Sequence, residues 1–454
     1  MKTDVIEKYV LTVLMCICVC AASPAQTASS YFLEGSYSRY RLNPALAPER
    51  GFMALPALGG VSVEANMNAG LANFIYESES KPGSLTTFMS GDVDPQRFLE
   101  ALPDAVRLNA NIETDILSFG FGASRWYFWF DSRLRSCQNV SIPEDMFEFM
   151  KSGMSAGDYD ICGMNVTTVN YLQTSLGFQI KPVRNLSVGI STNVLFGLAY
   201  SKAAVDRIHA VVDSDIWKVS TAASVTMAAP GTRIVLDEDG KICSLDCNPD
   251  FFHNVGSYGL SVDLGGEYDL RDIVPGLKVS ASLTDIGGML WRNAQVLESD
   301  RCRSVEFDGF DNDGSDGIDD DLGELARFRE TEDTEFATAF DATFRAGVRY
   351  SLPGLDWLAF GELVTMRTGM NELFESRTSV NVSAGNVLDV SGSLAFSNHG
   401  IGFGGVLNLH PGGFNLFACL DACTLRLNPQ FIPLDKFSCN VSFGIRMGFG
   451  ERRF

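Results

Sequence analysis

The residues best able to do chemistry form an acidic run in the second half of the chain. Asp311, Asp313, Asp316 and Asp319 are spaced two or three residues apart, with glycines between them. Calcium takes roughly 6–8 oxygen ligands, and this spacing would let the chain wrap around one ion. However, no Asp-x-Asp-x-Asp-Gly run has a Glu at its twelfth position, and residues 300–335 carry 14 acidic side chains against 4 basic ones. A calcium site at these four carboxylates is one hypothesis, and a solvated acidic loop is the favoured one.

Cysteine pairs are the second candidate for chemistry. Eight of the 11 cysteines lie beyond the first 25 residues, an even number that allows disulfides in an exported protein. A bond between Cys137 and Cys162 would close a loop of 24 residues, which the chain-entropy model values at roughly 3 kcal/mol. A bond from Cys439 to Cys419 or Cys423 is a weaker alternative.

Signatures of enzymes are sparse. The four histidines lie far apart, and the chain has no nucleophile elbow, His-Glu-x-x-His motif or phosphate-binding loop. Cys243 and Cys247 lack a second pair of metal ligands nearby, so a small disulfide loop or free thiols are favoured over a metal site. We therefore predict that the protein is not an enzyme; a catalytic site built from distant side chains is the less favoured alternative.

Beyond residue 50, apolar and polar side chains alternate along the chain. In Phe437–Phe449 every odd position is apolar and every even position is polar or glycine, and residues 186–200, 277–283 and 336–350 follow a similar pattern. Such alternation gives a strand one apolar and one polar face. Several runs are 11–15 residues long, whereas soluble strands average about 5–6 residues and tilted membrane-spanning strands need about 9–11. The pattern predicts an all-β fold, a closed antiparallel transmembrane barrel, and disfavours a soluble sandwich.

The spacing of the connections predicts about 14 strands. Their expected starts lie near residues 51, 113, 126, 169, 186, 258, 277, 336, 356, 373, 387, 401, 414 and 437. Longer stretches at 136–165, 230–257 and 299–335 are expected to be outer loops, and 201–228 a hairpin that extends beyond the membrane. Charged side chains on the polar faces are expected to line a hydrated lumen: Asp263, Glu267, Asp341, Arg345 and Arg349, together with Asp131, Arg133 and Asp421.

The beginning of the chain reads as a targeting signal. Residues 9–22 are apolar apart from Thr12, which is too short for a membrane-spanning helix of about 20 residues but suits a secretory signal. Small residues predict cleavage after Ala25, so residues 1–25 are the expected signal peptide and 51–454 the barrel. The expected location is the outer membrane of a Gram-negative bacterium, with outer-membrane lipid as a partner. A net charge of −21 excludes nucleic acid as a partner.

A short helix is predicted inside the stretch 136–165. Ser141 and Glu144 have the spacing of a capping box, and Met146, Phe147 and Met150 follow. We expect the helix to pack onto the barrel rim or to cap the lumen; the alternative is an entry platform for apolar cargo.

Three short motifs carry a resemblance to a known family. Asn43-Pro44-Ala45 resembles the signature near the N-terminus of the long-chain fatty-acid transporter (FadL-like) barrels. Residues 283–287 with Trp291, and the closing segment at Phe449, resemble an uncharacterised group of Bacteroidota outer-membrane proteins related to them. The chain departs from the usual barrel end, because Phe454 follows three charged residues out of phase with the strand.

The resemblance implies 14 strands and an N-terminal segment, residues 26–50, that folds into the lumen as a plug with Asn43, Pro44 and Ala45 at its turn. It also implies passive uptake of hydrophobic or amphipathic small molecules, so an apolar small-molecule cargo is an expected partner. The alternative is a non-transporting scaffold or secretion accessory that binds protein partners, of unknown identity, through its outer loops.

Overall fold

The alternating segments form the long strands that their periodicity predicts. The structure, a computed structural model, describes residues 27–450 except 57, 82, 124, 153–155, 214–216, 248–255, 300–303, 308–326, 370, 386, 412, 425 and 427–433. The predicted signal peptide and calcium ligands Asp311, Asp313, Asp316 and Asp319 lie outside the described residues, as does Phe454.

The described residues contain 23 strands and two α-helices. The strands of the first half are β1 (Gly51–Ala54), β2 (Val61–Met67), β3 (Ile75–Glu77), β4 (Leu85–Thr87), β5 (Ala105–Ala123), β6 (Trp126–Pro143), β7 (Gly157–Val183), β8 (Leu186–Val212), β9 (Trp217–Ala228), β10 (Thr232–Leu236) and β11 (Ile242–Cys247). Those of the second half are β12 (Tyr258–Asp269), β13 (Leu277–Ser299), β14 (Ser304–Phe307), β15 (Phe328–Glu330), β16 (Thr334–Ala339), β17 (Thr343–Ser351), β18 (Leu358–Arg367), β19 (Leu373–Ala384), β20 (Leu388–Ser397), β21 (Gly400–Leu409), β22 (Phe414–Thr424) and β23 (Phe437–Phe449). The helices are α1 (Pro95–Leu99) and α2 (Glu144–Ser152).

Fourteen antiparallel wall strands close into a barrel within the described residues. β1 and β2 together form the first wall strand, and β16 and β17 form the eighth. β1 and β2 each pair with β5 on one side and with β23 on the other, so the sheet has no open edge at this point. The predicted closed antiparallel barrel and its number of strands are confirmed.

The two faces of the wall differ as the alternation predicts. On β23, Phe443 is 53% exposed and Ile445 is 40% exposed, whereas Ser442 and Arg446, which flank them in the sequence, are buried. Apolar side chains therefore point away from the barrel, and polar or charged ones point into it.

One end of the barrel bears the longer connections, and there the strands extend well beyond their neighbours. β7 and β8 each have 27 residues and pair from Val183↔Leu186 to Gly157↔Val212. β9 continues this wall, because it pairs with the far half of β8 and with β13. The predicted pairing of 201–228 as a hairpin is confirmed, and its position relative to the membrane stays a prediction.

The stretch 136–165 is largely strand, which corrects the expected outer loop. β6 runs to Pro143, α2 follows directly, and β7 begins at Gly157. Ser141 pairs with Asn165 across these strands, so the helix begins at Glu144 without the predicted capping box. The reason is that pairing of three neighbouring strands satisfies the backbone of residue 141, which a cap would otherwise do.

A small apolar core lies at the same end of the barrel. Phe88 stacks on Phe98 of α1 with ring centroids 4.6 Å apart, and Phe147 of α2 packs against both. Phe147 is buried in this cluster, which supports rim packing for α2. Neither helix of the described ranges has the length and apolar character needed to cross a membrane.

The cysteine pairs predicted from spacing are not formed. Cys137 and Cys162 are both free thiols. Cys137 lies opposite Val169 of β7, and Cys162 is seven residues further along that strand, about 23 Å away at roughly 3.3 Å per residue. The loop that the bond was expected to close is strand, so nothing brings the two sulfurs together.

The alternative bonds on the last strands are also absent. Cys439 lies opposite Ala422, whereas Cys423 lies opposite Ser438. Neighbouring residues on a strand point to opposite faces, so the two thiols are separated by the wall itself. Cys243 and Cys247 are both exposed on β11.

Candidate functional site

The segment of residues 27–50 lies against the inward faces of the wall strands. It contains only short 3₁₀ turns, at Ala28–Ser30 and Arg39–Arg41, and no strand. Tyr31, Leu33 and Tyr40 are nearly inaccessible to solvent. In this segment aromatic side chains are interleaved with charged ones, so it needs both apolar surface to pack against and partners of opposite charge. The inside of the barrel supplies both.

Asn43, Pro44 and Ala45 form a tight turn in this segment. The Leu46 amide donates to the Asn43 carbonyl at 2.9 Å, and the Ala45 amide donates to the Asn43 side-chain oxygen at 2.9 Å. The Asn43 side-chain nitrogen donates to the Tyr31 hydroxyl at 2.9 Å and to the Ala281 carbonyl of β13 at 3.3 Å. Asn43 is fully buried, so the amide that makes the turn also fixes it to the wall.

Arg41 joins the segment to β5 and β6. Its Nη2 atom lies 2.8 Å from Oδ1 of Asp115 and 2.7 Å from Oδ1 of Asp131. Asp115 also lies 3.1 Å from Nη2 of Arg446 on β23, and Asp131 lies 3.2 Å from Nε of Arg133. These buried carboxylates are therefore each shared between two guanidinium groups.

Glu34 joins the segment to the opposite side of the barrel. Its Oε1 atom lies 2.7 Å from Nζ of Lys278 on β13 and 3.4 Å from Nη1 of Arg349 on β17. Burial alone would raise the pKa of Glu34, but the two cations outweigh it and hold the pKa well below its usual range. Glu34 is therefore an anion at neutral pH.

The beginning of the segment contacts β19 and β22. The Ser29 amide donates to Oδ2 of Asp421 at 3.2 Å, and Nη1 of Arg377 donates to the Ser29 hydroxyl at 3.0 Å. The same nitrogen lies 2.8 Å from Oδ1 of Asp421.

A cavity of about 470 Å³ lies between the segment and the end of the barrel that bears the longer connections. Ala28, Arg41 and Leu42 form part of its floor. Seven basic and seven acidic side chains line it: Arg41, Arg133, Arg135, Lys202, Arg345, Arg367, Arg377, Glu64, Glu113, Asp263, Asp285, Asp341, Glu375 and Asp421. Tyr171, Tyr200, Phe340 and Leu373 add apolar surface. The cavity can thus hold a solute with both charged and apolar parts.

The structure separates the five predicted lumen residues into two groups. Asp263, Asp341 and Arg345 line the cavity. Arg349 lies at the segment, beside Glu34. Glu267 shares the inward face of β12 with Asp263 but is not among the cavity-lining residues.

Asp285 is a cavity residue that the alternation did not reveal. It sits where the register between β12 and β13 shifts, with a positive φ of 61°. This bulge turns Asp285 inward beside the inward-facing Thr284, and its Oδ1 lies 2.9 Å from Nη1 of Arg135 on β6. The glycines at 287 and 288 are the signal that could have indicated an irregular strand.

Glu113, Asp115 and Arg135 also went unnoticed, although the period-two spacing of charges on β5 and β6 could have revealed them. No group of three or more His, Cys, Asp or Glu side chains that could hold a metal ion occurs in the ranges that the structure describes. The calcium hypothesis concerns residues beyond those ranges and stays a prediction.

Comparison with known proteins assigns the chain to a family. Residues 44–421 match a family described as a family of unknown function, DUF5723. The chain belongs to this family. No curated protein matches the DUF5723 chain.

Solved structures similar to this DUF5723 barrel share little sequence with it. The toluene transporter TbuX of Ralstonia pickettii has 9% identity and a TM-score of 0.46, covering 92% of this chain and 100% of that one. The toluene transporter TodX of Pseudomonas putida has 8% identity and a TM-score of 0.44, with 95% and 96% covered. A FadL homologue of Pseudomonas aeruginosa has 9% identity and a TM-score of 0.46, with 94% and 98% covered. The relation of this chain to FadL-like barrels and its Bacteroidota origin stay predictions.

Proposed function

We propose that this protein is an outer-membrane barrel for the passive uptake of an amphipathic small molecule, with residues 27–50 as a displaceable plug. The observation that carries the proposal is the position of this segment. It forms the floor of a charged cavity and is held to the wall by side chains rather than by strand pairing.

The outer surface supports a place in a membrane. Apolar side chains such as Leu260, Phe403 and Phe443 are about half exposed on the outside of the wall. A belt of this kind on a closed barrel is stable in lipid, because closure lets neighbouring strands pair their backbone groups and leaves no open edge.

The lining of the cavity supports an amphipathic solute over a purely apolar one. A solute without polar groups would displace water from 14 ionisable side chains and offer them no partner. A solute with a charged group and an apolar part would satisfy both the ions and the aromatic side chains around Tyr171 and Phe340.

The contacts of residues 27–50 support displacement without unfolding of the wall. Arg41 and Ser29 bind side chains that already have a second partner, because Asp131 has Arg133 and Asp421 has Arg377. Glu34 is the exception, since its departure leaves the neighbouring cations Lys278 and Arg349 without this carboxylate. Removal of the segment therefore leaves few buried charges unpaired, which keeps the cost of displacement low.

Liposome swelling tests the proposal. The full chain with Arg41→Gln and Glu34→Gln should admit small charged solutes faster than the wild type, and deletion of 27–48 should raise permeability further. Circular dichroism must show an intact barrel in each case. A folded double variant that is no more permeable than the wild type would contradict the plug, and a protein partner that copurifies with an impermeable barrel would support a scaffold instead.

A further inference from the structure

Glu64 and Arg367 form a bidentate ion pair inside the barrel. Nη2 of Arg367 lies 2.8 Å from Oε1 of Glu64, and Nη1 lies 3.4 Å from Oε2. Both side chains are largely buried. Planar, two-point pairing of this kind fixes the direction of both side chains as well as their distance.

The two residues belong to strands that are far apart around the barrel. Glu64 lies on β2, in the first wall strand, and Arg367 ends β18, the ninth. Seven wall strands separate them in one direction and five in the other. The ion pair therefore crosses the lumen.

A second contact crosses beside it. The Asn66 side chain donates to Oδ1 of Asn371 at 3.1 Å. Asn371 lies in the turn after β18, and its carbonyl accepts from Nε of Arg367 at 2.7 Å. Its amide donates to Oδ2 of Asp341 at 3.0 Å, so this end of the turn is held inward from two sides. We call Glu64–Arg367 and Asn66–Asn371 the cross-lumen contacts.

The cavity extends on both sides of the cross-lumen contacts. Cys137 on β6 lines the cavity on the side where seven wall strands separate Glu64 from Arg367. Cys423 on β22 lines it on the other side, where five wall strands separate them. Glu64, Arg367 and Asn371 line the same cavity between them. The cross-lumen contacts thus divide the cavity, and a solute that crosses it passes on one side of them or on the other.

We propose that the cross-lumen contacts set the upper size limit for solutes that reach the cavity. The residues that determine this limit are Glu64 and Arg367, supported by Asn66 and Asn371. The inference deepens the proposed uptake function, since it names what selects the solute, but its test measures access to the cavity and requires no transport.

Two native thiols allow the access of a reagent to the cavity to be measured. Cys137 and Cys423 are free and line the cavity on either side of the contacts, whereas Cys162 is free and exposed outside it. The full chain in detergent is pulsed with N-ethylmaleimide or with a bulky polyethylene-glycol maleimide, and each site is quantified by peptide mass spectrometry. Cys162 serves as the internal reference for reagent reactivity.

The variants are Glu64→Gln and Arg367→Gln, with Glu64→Arg combined with Arg367→Glu as the charge-swapped control. We expect the bulky reagent to label Cys137 and Cys423 about tenfold faster in both single variants, the change that about 1.4 kcal/mol makes in an opening equilibrium. Labelling by N-ethylmaleimide and labelling of Cys162 should stay unchanged, and the swap should restore slow labelling.

A bulky-reagent rate that stays at the wild-type value in both single variants overturns the inference. So does a rise that the charge swap fails to reverse, because the effect then comes from general loosening of the barrel. A barrel that transports nothing would contradict the proposed function and leave this labelling result intact.

Discussion

Arg41 and Asp131 form an ion pair in which Nη2 and Oδ1 are 2.7 Å apart, and neither side chain is more than 5% exposed. Arg41 belongs to the segment 27–50 and Asp131 to β6, so the pair joins the segment to the wall. The same nitrogen also binds Asp115 of β5. One guanidinium thus spans two neighbouring strands.

Replacement of Arg41 by Gln should loosen the segment without unfolding the barrel. Removing one partner of a buried ion pair costs about 3–5 kcal/mol of stability. We expect a smaller loss here, because Arg446 remains beside Asp115 and Arg133 remains beside Asp131. The measurement is the rate of tryptic cleavage after Arg39, which is buried in the docked segment. Arg207→Gln, which breaks an exposed pair with Asp160, is the control and should leave that rate unchanged.

Acid should weaken the docking of the segment through Glu34. Lys278 and Arg349 hold the pKa of Glu34 below its ordinary value of 4.5. The contribution of Glu34 to docking of the segment is therefore complete above pH 4.5 and is lost as the pH falls toward the lowered pKa. Susceptibility of the segment to an acid-active protease, measured at each acidic pH, should rise less steeply with acid in Glu34→Gln than in the wild type. Identical acid profiles would contradict a role for this carboxylate.

Gly265 and Gly266 on β12 offer a matched pair of substitutions. A Cβ at Gly265 would lie 2.0 Å from the side-chain oxygen of Asn43, whereas one at Gly266 would meet nothing within 4 Å. Gly265→Ala should therefore push the turn at Asn43 off the wall and speed proteolysis of the segment. Gly266→Ala should not, and equal effects of the two would show that the segment does not approach β12 closely.

Cys137 and Cys162 should both react as free thiols. The structure keeps them apart on paired strands, so alkylation of denatured, unreduced protein should modify each of them. Protection of both until a reductant is added would show that the bond predicted from spacing exists after all.

Much of the wall follows from local sequence. Period-two alternation and the turns at Pro275-Gly276 and Pro353-Gly354 place strand starts close to those of β12, β13 and β16 through β23, because each strand must present one face to lipid and one to the lumen. The prediction of an outer loop at 136–165 was wrong. The strands there extend beyond the expected membrane belt and are polar, so they lack the apolar face by which the alternation identifies a strand.

The sequence by itself determined the fold class, the number of wall strands and the inward face of Asp263, Asp341 and Arg345, since these depend on side-chain alternation along one strand. Only the tertiary structure decided which residues meet. Arg367 reaches Glu64 across the lumen, and a bulge turns Asp285 toward Arg135. Such contacts depend on register and on how the closed wall is shaped, and residues some 300 positions apart leave no local pattern that records their distance.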